Sequence, residues 1–121
     1  MSPVIPLKVN NSLKTGILDT GSSQTLVRLS AIDSDNCKIK KCKKLLYGIS
    51  KSEVKTIGEI TVNIQISPFQ NIFHNVVVVP DNYLSFDYLI GMDLLDRTNF
   101  SLNKKGNMKY FFVEWCAISY Y

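Results

Sequence analysis

Ile60, Val62, Ile64 and Ile66 alternate with Thr61, Asn63, Gln65 and Ser67. Side chains of an extended strand point to opposite faces in turn, so this stretch buries one face and wets the other. The same period links Ile5, Leu7 and Val9 in a first strand, which turns at Asn10-Asn11 into the strand that ends in Leu18. Thr25 to Arg28 carries the chain onward, Ile72 to Val79 reads as a buried run stopped by Pro80-Asp81-Asn82, and Tyr88 to Ile90 is a further short apolar strand. Phe100 to Leu102 is expected to pair with Lys109 to Val113 across residues 103–107. The one helix expected runs from Met92 to about Arg97, and residues 29–42 are the least patterned and read as a loop. Many short strands, one small helix and no repeat make an all-β chain, folded as a closed or partly closed β-barrel.

Two segments of this pattern carry chemistry. In Ile17-Leu18-Asp19-Thr20-Gly21-Ser22-Ser23 a carboxylate sits between an apolar strand end and a Thr-Gly-Ser turn. Ile17 and Leu18 can anchor the strand in a core, and Gly21 allows positive φ and close backbone approach. The hydroxyls of Thr20 and Ser22 can bond the carboxylate or its loop, and Ser22 is expected to donate to the charged form of Asp19. Asp19 is thus expected to be held rigidly at the floor of a cleft. Seventy residues after Gly21, Tyr88-Leu89-Ile90-Gly91-Met92-Asp93-Leu94-Leu95 reads as an apolar strand, a glycine and one or two helical turns.

Together these segments resemble the aspartic proteases of retroviruses and LTR retrotransposons over roughly residues 4–113, and Leu89 to Leu95 is most similar to the gypsy type. The resemblance implies a single small closed barrel with one short C-terminal helix, active as a homodimer. It implies an endopeptidase that binds an extended peptide as an added strand and processes a Gag-Pol-type polyprotein, in the cytoplasm or within a virus-like particle. Asp19 would be the catalytic residue, Thr20, Gly21 and Ser22 its loop, and Ile90-Gly91 the structural glycine motif. By position, Leu45 to Lys55 corresponds to the family's flap, a hairpin over the substrate. There Gly48 can absorb a backbone change, and Tyr47 and Ile49 can cover an apolar side chain of the peptide; an ordinary surface hairpin is the alternative. The apolar tail, residues 114–121, packs, joins a dimer sheet or begins a following polyprotein segment.

The chain departs from the pattern in one coordinated way. Many retroviral members carry an acidic residue shortly after the Asp-Thr-Gly triplet and an arginine after the downstream glycine, which pair. Here Ser23 and Gln24 follow Ser22, and Met92 follows Gly91. Both partners are absent together, so no buried charge is orphaned. Asp93 can take the favourable place of an acid in the first helical turn or hold the active-site loop from below, and the first reading is preferred.

Acid-base chemistry on a peptide bond needs two facing carboxylates, yet the 121 residues contain no second Asp-Thr-Gly and no Asp-Ser-Gly. The length fits one small core rather than two lobes. A twofold homodimer supplies the second carboxylate by setting Asp19 against its own copy. Such a pair shares one proton, so one Asp19 serves as base on a water while the other protonates the scissile carbonyl oxygen. The chemistry calls for no covalent intermediate, metal or cofactor.

Other classes find less support. With 45% hydrophobic and 20% charged residues the composition is that of a globular chain, and the longest apolar runs are far too short to span a bilayer. The N-terminus lacks a basic segment followed by a long apolar core, so an intracellular setting is expected. Cys37, Cys42 and Cys116 are an odd, sparse set unlike a secreted disulfide framework, and with His74 they lack the paired spacing of structural zinc sites. His74, inside an apolar strand, reads as a packed or edge histidine rather than a catalyst. The net charge of +4 is concentrated in Lys38, Lys40, Lys41, Lys43 and Lys44, which reads as a solvated face flanking no recognised nucleic-acid motif. A catalytically silent binding module of the same fold and a basic nucleic-acid-binding barrel are the alternatives to an enzyme.

Overall fold

A computed structural model describes residues 3–33, 38–41, 45–47, 53–67, 70–106, 108–113 and 116–120. Among these residues the strands are β1 (Val4–Val9), β2 (Ser12–Leu18), β3 (Leu26–Arg28), β4 (Leu45–Tyr47), β5 (Glu53–Lys55), β6 (Gly58–Gln65), β7 (Ile72–Val79), β8 (Tyr88–Ile90), β9 (Phe100–Lys105), β10 (Met108–Val113) and β11 (Cys116–Tyr120), with one α-helix, α1 (Met92–Leu95), and short 3-10 turns at Leu29–Ala31 and Asp81–Tyr83. Strands β1-β2-β8-β3-β7-β6 close into a barrel, so the expected all-β barrel with one small helix is the fold observed.

The barrel follows from the period-two pattern. Ile5, Leu7 and Val9 of β1 and Ile60, Val62 and Ile64 of β6 all turn inward and are buried with Val76, Val78, Tyr88, Ile90, Leu94 and Leu95. The first hairpin is fixed by its turn: Asn10 (φ 49°) and Asn11 (φ 68°) both lie in the left-handed region, and Val9 pairs with Ser12. That is a two-residue type I′ loop, whose twist matches the strands it joins and which asparagine tolerates. Asn10 also accepts from Asn63 N–H at 2.9 Å, which fastens the hairpin tip to β6.

Strand β7 is buried over only half its length. Val76 to Val79 are buried, but Phe73 is 67% exposed, and Asn75 faces solvent. The four valines are buried on both faces because Val76 and Val78 enter the barrel while Val77 and Val79 pack outside it with Leu26 and Leu84. β7 runs parallel to β3 there, and a strand covered on both faces loses its alternation.

Beyond the barrel, β9, β10 and β11 form an antiparallel sheet in which the C-terminal tail pairs with β10, Val113 opposite Cys116. The tail therefore joins a sheet of its own chain. β9 and β10 run on to pair Lys105 with Met108, a tighter connection than the five residues expected, and Gly106 takes a φ of 62° in it. The helix stops at Leu95, and the chain continues through turns to Thr98. Among the described residues no helix is long and apolar enough to cross a membrane.

Candidate active site

The loop bearing Asp19 connects β2 to β3, and β8 lies between those two strands, parallel to β2 and antiparallel to β3. Residues 19–25 must therefore cross the C-terminal end of β8. Backbone hydrogen bonds fasten the crossing: Asp19 N–H donates to Ile90 O at 2.9 Å, and Met92 N–H donates to Ser22 O at 2.8 Å. Gly91 lies between these two bonds. A Cβ at Gly91 would sit 2.4 Å from the carbonyl oxygen of Gln24 and 2.6 Å from its carbonyl carbon, so any side chain would push the loop off the strand. The glycine after the apolar strand is a spacing requirement, not a matter of backbone conformation.

Asp19 is half-buried, and its Oδ1 accepts the N–H of Gly21 at 2.9 Å while Ser22 N–H closes the turn onto Asp19 O at 3.1 Å. A short Asx turn thus orients the carboxylate, and Thr20 and Gly21 lie exposed beside it. Of the two properties open to Gly21 the close approach is the one used, and the expectation for Ser22 needs correction. Gly21 does not adopt positive φ; Gly106 is the one glycine that does so among the described residues. Its role is space, since a Cβ there would stand 3.2 Å from Asp19 Oδ1. The Ser22 hydroxyl does not reach the carboxylate either: it donates to Gln24 O at 2.9 Å and accepts from Gln24 N–H at 3.4 Å, bracing the loop.

Below the loop lies a polar network that the sequence reading did not assemble. Thr25, fully buried, donates its hydroxyl to Asp93 Oδ1 at 2.7 Å and accepts Gly91 N–H at 3.1 Å. His74 Nε2 lies 2.9 Å from Asp93 Oδ2, and Arg97 Nη1 lies 2.9 Å from His74 Nδ1 and donates to Phe73 O at 2.7 Å. Burial acts to raise the proton affinity of Asp93, but hydrogen bonds from Thr25 and His74 outweigh it and hold the carboxyl below its ordinary range. Asp93 does occupy the first turn of α1 and accepts Leu94 N–H at 2.8 Å, and its bonds to Thr25 and His74 also tie the loop from below, so it fills both expected roles rather than the first alone. His74 is packed, as expected, and it is also bonded at both nitrogens. One sequence signal pointed to this: in β7 it shares the inward parity of Ile72 and Val76, where an imidazole needs partners.

Tyr47 ends β4, which pairs with β5 so that Leu45 faces Lys55 and Tyr47 faces Glu53. These two paired strands fall within the segment Leu45 to Lys55; Gly48 and Ile49 lie outside the described residues, as do Cys37, Cys42, Lys43 and Lys44. Lys38, Lys40 and Lys41 are exposed, and Lys40 exchanges backbone hydrogen bonds with Glu59.

Solved structures share this architecture. The chain superposes on the retroviral protease-like domain of Ddi1 from Leishmania major with a TM-score of 0.71 at 14% identity, covering 100% of this chain and 94% of that one. It matches the EIAV protease complexed with the inhibitor HBY-793 with a TM-score of 0.63 at 18% identity, over 80% of this chain and 88% of that one. A retropepsin-like aspartic protease from Rickettsia conorii gives 0.58 at 24% identity, over 84% and 76%. No curated protein matches the chain in sequence. The identities are low enough that these likenesses speak for the fold alone. The sequence model described as retroviral aspartyl protease, however, matches residues 1–103, spanning the Asp19 loop, the barrel and Gly91; the chain belongs to the retroviral aspartyl protease family.

Proposed function

We propose that the protein is an aspartic endopeptidase that works as a twofold homodimer, with Asp19 of each copy forming the catalytic pair. The observation that carries the reading is the half-exposed Asp19, oriented by Gly21 N–H in a loop stitched to Ile90 and Met92, in a chain with a single Asp-Thr-Gly. Thr20 and Gly21 are exposed beside it, as a surface that meets a second copy must be. Two carboxyl groups facing one another cannot both ionise cheaply, so the pair carries one proton. The ionised Asp19 draws a proton from water as the water attacks the scissile carbonyl carbon, and the protonated Asp19 gives its proton to the carbonyl oxygen. Collapse of the tetrahedral intermediate then expels the amine with a proton returned from the pair.

The substrate of this reading is an extended peptide added as a strand beneath the hairpin of β4 and β5, with Tyr47, Gly48 and Ile49 closing over it. Leu89 to Leu95 favours a retrotransposon protease of gypsy type, acting on its own polyprotein.

The test is dilution of wild type with Asp19→Asn at constant total chain concentration. If each site needs two Asp19, activity follows the square of the wild-type fraction, and an equal mixture retains about a quarter of the all-wild-type rate. A self-sufficient monomer would retain about half and give a straight line, which would overturn the shared pair. A wild-type protein that cleaves no member of a peptide library at mildly acidic pH would overturn the enzyme reading itself.

A further inference from the structure

A guanidinium has only N–H donors, so the 2.9 Å contact between Arg97 Nη1 and His74 Nδ1 requires a lone pair on Nδ1. The imidazole proton is thereby placed on Nε2, where it donates to Asp93 Oδ2. The other oxygen of Asp93 receives the Thr25 hydroxyl, and the Thr25 oxygen receives Gly91 N–H. Each group in the series has its partner fixed by the one before it: Arg97 sets the tautomer of His74, His74 and Thr25 set the carboxylate of Asp93, and Thr25 holds Gly91. The series begins at the exposed Arg97 and ends at the peptide between the two backbone bonds that carry the Asp19 loop, Ile90 O to Asp19 N–H and Met92 N–H to Ser22 O.

We propose that His74 and Arg97 are positioning residues for Asp19, acting through Asp93, Thr25 and Gly91 to fix the height of the active-site loop over β8. The inference rests on the protease reading for its kinetic consequences, while the linkage itself is a property of the free protein. Among the described residues the His74 side chain hydrogen-bonds Asp93 and Arg97 and neither Asp19 nor its loop, so the hydrogen-bonded path from His74 to the loop runs through Asp93. The barrel does not need the series in order to close, because its strands pair through their own backbone and its core is apolar. What the series adds is accuracy of placement. A carboxylate displaced by a fraction of an ångström loses rate rather than binding, since an extended peptide is held chiefly by strand addition and side-chain pockets.

Two measurements test it. In peptide cleavage, His74→Leu lowers kcat roughly tenfold, the size expected for losing one hydrogen bond to a charged group, and leaves KM unchanged. His74→Gln, which keeps a donor for Asp93, recovers most of the loss, and Arg97→Met, on the exposed side, lowers kcat in the same direction without threatening the fold. Thr25→Val resembles His74→Leu, and the double variant is no slower than the slower single, as members of one series must be. Additive losses, or a kcat unchanged in both His74→Leu and Arg97→Met, overturn the proposal. Asp19→Asn in the same assay separates the two readings: an inactive Asp19→Asn beside an unaffected His74→Leu removes only the series, whereas an active Asp19→Asn removes the protease reading.

The second measurement needs no activity. Amide hydrogen exchange at Gly91 and Asp19 accelerates roughly tenfold in His74→Leu and Arg97→Met, while Val62 across the barrel is unchanged. Equal exchange at Gly91 in the wild type and both variants overturns the proposal whatever the protein cleaves.

Discussion

Gly91 is where one missing carbon has the largest consequence. Gln24 places its backbone, not a flexible side-chain end, within 2.9 Å of where a Cβ would stand. Gly91→Ala must lift the loop from β8 and strain both bonds that hold it. We expect a loss of about 1–3 kcal/mol in denaturant unfolding, with a larger proportional loss of peptide cleavage, because the displaced element is the one bearing Asp19. Gly16→Ala is the internal comparison: its Cβ would meet side chains of the core only, Leu7 at 2.6 Å and Ile90 at 3.3 Å, so the strain falls on core packing rather than on the loop backbone and activity should follow stability. A Gly91→Ala protein with normal cleavage would show that the loop does not depend on this close approach.

At the scale of elements, an ion pair and a threonine hold together the strands that flank the loop. Asp87, just before β8, accepts from Thr15 N–H at 3.1 Å and Thr15 Oγ1 at 3.2 Å in β2, and from Arg28 Nη2 at 2.8 Å in β3. The three strands meeting at the site are thus tied at the end opposite Asp19 as well. Burial works to raise the proton affinity of Asp87, but the bonds from Thr15 and Arg28 prevail and hold it below the ordinary carboxylate range. Asp87→Ala leaves Thr15 N–H and the Arg28 guanidinium without their acceptor and should cost about 1–3 kcal/mol. Asp33→Ala removes a more exposed pair with Lys14 and should leave the unfolding midpoint nearly unchanged. Equal effects of the two substitutions in chemical denaturation would contradict this ranking. None of these ties was visible in the sequence, because Thr15 and Asp87 stand 72 residues apart, whereas the hairpin at Asn10-Asn11 was, since its turn is encoded by the two residues that form it.

For the molecule as a whole, the carboxyls of Asp87 and Asp93 make acid the sensitive direction. Each binds its proton less readily folded than unfolded, so the stability it contributes is fully present above the unfolded value of about 4 and is lost as pH falls through the lower folded values. The melting temperature should be flat between about pH 7 and 5 and fall below about pH 4. Scanning calorimetry across that range checks it, and the fall should be shallower in Asp87→Asn. A decline beginning between pH 7 and 5 would point to groups other than these two. A mildly acidic optimum for cleavage would therefore lie where these two carboxyls still contribute their full stability.

The period-two stretches, the asparagine turn and the Asp-Thr-Gly run are local, and each is dictated by neighbours a few residues away. They determined by themselves that the chain is a small barrel of strands, and where its candidate carboxylate lies. What depends on strand order was not legible in this way. That β8 enters between β2 and β3 explains why Gly91 must be glycine and why the Ser22 hydroxyl turns to Gln24. The apolar run in β7 was legible, but not that outer packing against Leu26 and Leu84 buries both faces of Val76 to Val79 alone while Phe73 and Asn75 stay exposed. Above all, the meeting of Thr25, His74, Asp93 and Arg97 joins three separate segments, and hydrogen bonds between segments that far apart leave no periodicity to read. Only the closed barrel brings them under the same loop.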